Sequence, residues 1–510
     1  MGNRNMQYII AHDLGTSGNK ATLYNERGEL VAAFMAQYAT YIGSAGRVEQ
    51  NAEDWWNAVI LSTRKLLESS GIKSTNIACV SFSGQMMGCL PVDAEGNPLR
   101  PAIIWADMRS EKQAEQLRLA LDDREFYRIV GHRPISSYTL TKLMWVRDTE
   151  PEIYNKTEKI LQAKDFIVFK LTGKFATDYS DASGTNAFDL IGKKWSDIIL
   201  DSVNIRKSIF PEPYPSTTVI GKITREAANL TSLTEGIPVV LGGGDGSCAI
   251  VGAGIFGGKK AYSILGSSSW VAFETNAPLY DEEMSYVTWA HLDEKKYQPC
   301  GTMQAAGLSI SWLKDTLAGY EKYAEKHNGE NGLELIEAAA RNSPLGSNNL
   351  IYLPYLLGER SPRWDPYAKG SFIGITSKHT KEDIFRSVYE GVAYNLKTIM
   401  NAFETKMQLD EIVLIGGGAR SVLWRQILAD VWEKPVLIPQ YLEEATSLGA
   451  AIAGGIGIGL FNDFSIAEKI NPIIDRINPD ERNFKIYRKL YSLFEQSYAN
   501  LKDIFKKLGE

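Results

Sequence analysis

Three short segments combine glycine with residues that could handle phosphate or accept a proton. His12-Asp13-Leu14-Gly15-Thr16-Ser17-Gly18 stands near the start, Gly242-Gly243-Gly244-Asp245-Gly246 near the middle and Gly416-Gly417-Gly418-Ala419-Arg420 late. Glycines let backbone N–H groups approach phosphate oxygens closely and adopt the positive φ that such turns need. A carboxylate in such a turn repels bare phosphate, so Asp13 and Asp245 point to a metal ion or to a proton that has to be taken. Three turns this far apart in the chain read as one nucleotide site assembled from two lobes.

The elements around these turns alternate in type. Tyr8-Ile9-Ile10-Ala11-His12 is a short apolar strand, Lys20 to Tyr24 a second and Leu30 to Phe34 a third, a meander whose first turn is the glycine-rich one. Asn51 is placed to cap a helix with Glu53 and Asp54 in its first turn. Trp55, Val59, Thr63, Leu66 and Leu67 recur at helical spacing, and Gly71 stops it. Ile77 to Ser83 is a further strand, ending at Gly84-Gln85-Met86-Met87-Gly88. After Asp245 the pattern begins again: Lys260 to Leu265, the turn Gly266-Ser267-Ser268-Ser269, then Trp270 to Phe273. This echo of residues 8–24 hints that both halves share one topology. Ile412 to Ile415 is a strand feeding the third turn. Val422, Leu423, Ile427, Leu428 and Val431 mark the buried face of the next helix, which Pro435 ends. Phe484 to Phe505 repeats apolar residues as a helix docked on the second domain.

A chain of 510 residues is too long for one core, so two large domains are expected, 1–255 and 256–510. A hydrophobic fraction of 44% with 23% charged residues is that of an ordinary globular protein, and a net charge of −6 gives no reason to expect nucleic acid or a membrane as partner. The four cysteines, Cys79, Cys89, Cys248 and Cys300, form no CxxC pair and fit a reduced, cytoplasmic chain. The segment Met1 to Gln7 is polar, with no signal peptide evident. Leu448 to Phe461 is the longest apolar stretch; it contains five glycines and falls short of the roughly 20 residues that span a bilayer, so a closely packed buried helix is expected. The five histidines form no ligand pattern.

Neither GxxxxGK[ST] nor a protein-kinase HRD/DFG pair occurs. The ordered set Asp13 to Lys20, Gly244-Asp245-Gly246 and Gly416 to Ala419 instead resembles the FGGY carbohydrate kinases of the actin-like ATPase superfamily. Val48 to Trp56, Ser83 to Met86, Pro101 to Arg109, Leu353 to Pro362 and Gly416 to Trp424 extend the likeness, which is nearest to the xylulokinase branch. The resemblance implies an α/β architecture of two ribonuclease-H-like domains around a central cleft. The N-terminal domain would carry the sugar, the first phosphate turn and the catalytic Asp, and the C-terminal one would carry adenosine. It implies ATP and Mg²⁺, a small sugar as substrate and, as a family expectation, a homodimer.

By the same resemblance Asp245 is the catalytic base, accepting the proton of a sugar hydroxyl as it attacks the γ-phosphorus. Asp13 would hold Mg²⁺ through water, with Gly15, Thr16 and Ser17 at the phosphates. Gly266 and Ser267 resemble a second phosphate contact, Gly417 and Gly418 the wall against adenine and ribose, and Glu444 to Gly449 is expected nearby. Gln85, Met86, Met87, Trp105, Asp107 and Asp245 are the sugar-side positions. Xylulokinases carry histidine where this chain has Met87, and a thioether is only a weak acceptor. The resemblance makes a ketopentose such as D-xylulose the leading acceptor, and the loss of that polar reader opens L-ribulose, erythritol and gluconate as alternatives. A non-catalytic, sugar-sensing ATP-binding module is the rival of another class; retention of Asp13 and Asp245 argues against it.

Overall fold

Apolar residues on both faces of a strand require cover on both sides, and that is how the opening strand is built. Ile9, Ile10, Ala11 and Leu14 of Tyr8–Leu14 are fully buried. The computed structural model describes residues 6–44, 46–257 and 259–509; the first five residues of the polar opening segment lie outside them. Two compact units emerge. The first comprises residues up to Phe256 with Glu274–Pro299 and Glu444–Pro472; the second comprises Gly257–Phe273, Cys300–Glu443 and the chain from Ile473.

In the first unit the sheet runs Val219–Lys222, Pro238–Val240, Ile77–Gly84, Tyr8–Leu14, Gly18–Asn25, Leu30–Gln37. The meander Tyr8–Leu14, Gly18–Asn25, Leu30–Gln37 is antiparallel, whereas Ile77–Gly84 lies parallel to Tyr8–Leu14. The short strand Gly243–Gly244 adds to Ile77–Gly84 in parallel, pairing Gly243 with Ser83 and Gly244 with Gly84. The helix Ala52–Ser70 is capped as its sequence predicts. Asn51 Oδ1 accepts from the Glu53 N–H at 3.2 Å, and Gly71 closes it at φ 66°. Trp55, Trp56, Val59 and Leu66 bury its inner face in a core with Phe82, Phe166 and Leu241.

The apolar stretch near residue 450 is the helix Ala445–Gly457, buried continuously from Ser447 to Gly455 and packed on Asp245–Gly252. Its glycines set the spacing. A Cβ at Gly449 would lie 2.0 Å from the Cys248 carbonyl oxygen, and one at Gly252 would lie 1.7 Å from that of Ala445. Backbone against backbone is the closest approach two helices can make. Among the described residues no helix is long and apolar enough to cross a membrane. All four cysteines are buried and none of them forms a disulfide.

The second unit contains the strand order Ser269–Phe273, Lys260–Leu265, Glu411–Ile415, Val436–Pro439, Ile473–Ile477, and the strand Tyr297–Met303, which belongs to it from Cys300 on, pairs with Ser269–Phe273. Lys260–Leu265 is antiparallel to Ser269–Phe273 and parallel to Glu411–Ile415. Two sheets therefore repeat one pattern: an antiparallel meander, two parallel strands on its far side, then an antiparallel edge. This is the shared topology hinted at by the echo of residues 8–24. The helix Val422–Trp432 ends at Glu433, whose φ of 60° turns the chain before Pro435 does. The last helix, Glu481–Gly509, docks with Tyr487, Leu490, Phe494 and Tyr498 inward.

Candidate active site

Asp13 is placed by pairing rather than by its turn. Its strand neighbours are Lys20 on the antiparallel side and Ser83 on the parallel side. Burial raises the Asp13 pKa, while the Ser83 hydroxyl and the Lys20 ammonium pull it back. The turn after it is closed by the Gly15 N–H, which donates to Gly18 O at 3.0 Å. Thr16 and Ser17 form its tip. The Thr16 carbonyl accepts from Gln50 Nε2 at 2.6 Å, its hydroxyl oxygen accepts from Trp105 Nε1 at 2.9 Å, and Ser17 is exposed.

Asp245 is the first residue of the helix Asp245–Gly252, with Gly244 as its cap. Its Oδ1 accepts from the Gly246 N–H at 2.7 Å. Surrounding protein, and then the charge of Asp13, push its pKa up to about 7 against that hydrogen bond. Both aspartates keep partial exposure, so a small molecule can reach them. A carboxyl poised near neutrality is able to take a proton from an alcohol and to hold it.

The sugar-side positions divide into half-buried, orphaned and occupied groups. Gln85 is buried; its Nε2 donates to Gln50 Oε1 at 2.7 Å, and its own Oε1 has no partner. An unpaired buried acceptor is costly unless a ligand hydroxyl or water completes it. Met86 is core: a Cβ at Gly244 would lie 2.5 Å from its sulfur. Met87 is half-buried at φ 66°, and its carbonyl accepts from the buried ammonium of Lys142 at 2.9 Å. Trp105 is half-buried against the first turn. Asp107 is fully buried, and its carboxylate is taken by Arg109 Nε and Nη2 and by the Val48 and Arg109 N–H groups, so it holds the 105–109 turn in shape.

In the second unit Gly266 and Ser267 are exposed, and their carbonyls anchor the start of the helix Gly307–Thr316. Gly266 O accepts from the Gly307 N–H, Ser267 O from the Ala306 and Leu308 N–H groups. Gly417 is open, with no neighbour to a Cβ nearer than 3.9 Å. Gly418 is packed: a Cβ there would lie 2.7 Å from Leu265 Cβ. Glu444 to Gly449 belongs to the first unit, beneath the Asp245 helix.

Nucleotide phosphates imply a divalent cation, and the residues fit one. Among the described residues no three or more His, Cys, Asp or Glu side chains cluster to hold a metal. Mg²⁺ needs no such cage, because it retains waters and is held through one or two carboxylates and the phosphates. Asp13, partly exposed beside a phosphate-type turn, is the carboxylate that suits it.

Family models of the FGGY carbohydrate kinases match nearly the whole chain, the N-terminal domain over residues 8–252 and the C-terminal domain over residues 261–458. The chain belongs to the FGGY family of carbohydrate kinases. It is thus a phosphotransferase acting on a small carbohydrate, and kinases of this family use ATP with Mg²⁺. It is 32% identical over 501 residues to the xylulose kinase of Bacillus subtilis (strain 168), covering 98% of each chain. The crystal structure of gluconate kinase from Lactobacillus acidophilus matches with TM-score 0.91 at 26% identity, over 99% of this chain and 100% of that one. That of ligand-bound xylulose kinase from the same organism matches with TM-score 0.91 at 26% identity, over 98% and 100%.

Several groups that shape this FGGY site escaped the motif reading. Gln298 Nε2 holds the Gly246 carbonyl at 3.1 Å, Lys142 holds that of Met87, and a buried cluster on Lys164 lies behind Gly84. One signal was present: Lys164-Asp165 is a charged pair inside an apolar helical run, Ala163 to Leu171.

Proposed function

We propose that this kinase transfers the γ-phosphoryl group of Mg·ATP to a hydroxyl of a small ketose, with a ketopentose such as D-xylulose as the leading acceptor. The observation that carries the reading is Asp245, a partly exposed carboxyl held near pKa 7 at the end of a glycine triplet. A sugar hydroxyl is a poor nucleophile. Asp245 accepts its proton as the oxygen attacks, and Gln85 Oε1 accepts from a second hydroxyl to fix the ring or chain. Met86, Met87 and Trp105 supply the apolar wall, and Asp107 acts from behind through the 105–109 turn. Bound Mg²⁺ neutralises phosphate charge. Asp13 is proposed to hold that ion through water, with the Gly15-Thr16-Ser17 turn at the phosphates.

We assign sugar binding and the base to residues 1–255, and nucleotide binding to residues 256–510 through Gly266, Ser267, Gly417 and Gly418. A homodimer in the cytoplasm is the matching cellular expectation.

One observation favours a second reading. A solved gluconate kinase and a solved xylulose kinase are equally similar in fold, and Met87 offers a sugar hydroxyl no strong partner. An aldonate is therefore the alternative acceptor. Coupled ADP release with Mg·ATP across both xyluloses, both ribuloses, erythritol, gluconate and glycerol tests this. Turnover highest on D-xylulose upholds the ketopentose, turnover highest on gluconate overturns it, and no turnover on any of them overturns both acceptor readings.

A further inference from the structure

The first unit buries an ionic cluster that the proposed chemistry does not use. Lys164, second residue of the helix Ala163–Thr172, is 0% exposed. Its ammonium lies 2.7 Å from Asp165 Oδ1, 3.0 Å from Asp178 Oδ1 and 3.2 Å from Asp181 Oδ2, and all three carboxyls are buried. One cation among three buried acids is expensive, and the Asp181 carboxyl has no partner beyond that ammonium. Well-packed apolar residues commonly do as well or better than a buried ionic group for stability, so stability gives weak grounds for keeping this one.

What the cluster touches supplies another ground. Asp178 receives only donors besides Lys164: the Ser180 N–H at 2.8 Å, the Ser180 hydroxyl at 2.5 Å, the Asp181 N–H at 3.3 Å and the Ser216 hydroxyl at 2.7 Å. That set suits an ionised carboxylate. Burial raises the pKa of Asp165 and Asp181. A hydroxyl that donates to an anion is a stronger acceptor in turn. Ser180 Oγ accepts from the Gly244 N–H at 2.9 Å, and Gly244 is the cap immediately before Asp245. The fit leaves no slack. A Cβ at Gly243 would lie 2.6 Å from Ser180 Oγ, and one at Gly84, the strand partner of Gly244, would lie 3.2 Å from Lys164 Cβ.

We propose that Lys164, Asp178 and Ser180 form a relay that positions the Gly243–Asp245 turn, with Ser180 as the positioning residue that fixes the direction of the Asp245 carboxylate. The inference rests on the reading of Asp245 as the base. A displacement of that carboxylate by a fraction of an ångström costs rate without loosening substrates bound by other groups.

The test is Ser180→Ala beside Ser216→Ala, which removes a different hydroxyl from the same Asp178 oxygen. Ser180→Ala is expected to lower kcat about tenfold or more, with KM for sugar and for ATP within about twofold. Ser216→Ala is expected to keep kcat within about twofold at a similar change in Tm. Should Ser180→Ala fail to fold, Asp178→Asn gives the same reading at unchanged side-chain volume. In an Asp245→Asn background the Ser180 substitution is expected to have no further effect on kcat. Equal kcat values for Ser180→Ala and Ser216→Ala would overturn the relay. Full turnover by Asp245→Asn alone would overturn the base assignment instead, so the two failures are separable.

Discussion

The hairpin at Leu14–Gly18 and the hairpin at Leu265–Ser269 are the same piece of backbone used for different chemistry. Each follows the first strand of its sheet, and each is closed by a glycine N–H donating across the turn, Gly15 to Gly18 O at 3.0 Å and Gly266 to Ser268 O at 3.1 Å. The difference lies two residues before the glycine. The first hairpin has Asp13, facing Lys20, and the second has Ile264, facing Trp270. Topology therefore supplies a similar glycine hairpin to both units, and one side chain decides which of them carries a carboxylate that raises the pKa of Asp245. The partner turns differ likewise. Ser83-Gly84-Gln85 carries polar side chains, whereas Gly416-Gly417-Gly418 has only backbone to present.

Removing charge from the first unit should have the largest effect. Asp245→Asn is expected to lower kcat by about 10²–10⁴-fold, checked by steady-state ADP release. The same variant should melt higher at pH 8. Asp245 is raised from 3.8 to about 7 in the folded chain, so the folded state binds the extra proton and stability falls as pH rises from about 4 to 7. Asparagine removes that cost, and a gain on the order of a few °C is expected by calorimetry.

Asp13→Asn should come next. It removes the second-largest cause of the raised Asp245 pKa. The acid limb of kcat/KM, near pH 7 in the parent, should move to lower pH, with half-activation needing more Mg²⁺. An unmoved limb would break the coupling between the two aspartates.

In the second unit the backbone is the target. Gly418→Ala would push a Cβ onto Leu265 and Trp424 and should cost about 1–3 kcal/mol, raising KM for ATP. Gly417→Ala meets open space and should stay within about 0.5 kcal/mol of the parent by denaturant titration, so any rise in its KM for ATP reports nucleotide contact alone. The smallest effect belongs to Ser267→Ala. Ser267 anchors its helix through its carbonyl, so losing the hydroxyl should change KM for ATP by less than about threefold, roughly 0.7 kcal/mol.

Much of this was legible in the residues, for local reasons. Asn51 and Gly71 mark their helix because capping geometry is satisfied within a few residues. The meander, the restart after Asp245 and the glycine turns follow from apolar alternation and from conformations that only glycine adopts freely. Asp13, Asp245 and Gly418 were visible as acid or glycine in such turns. Asp107 was visible only as part of a motif; its burial under Arg109 could not be read from spacing.

By itself the sequence determined the two α/β units, the repeated meander and the family, because these rest on patterns that span neighbouring residues. Tertiary structure decided what depends on meetings between distant segments. It placed Glu444–Pro472 in the first unit, ran Ser180 up to Gly244, and set Asp245 near pH 7 by bringing Asp13 and a dry environment around it. A pKa and a hydrogen-bond relay are properties of surroundings, and surroundings exist only once the chain has folded.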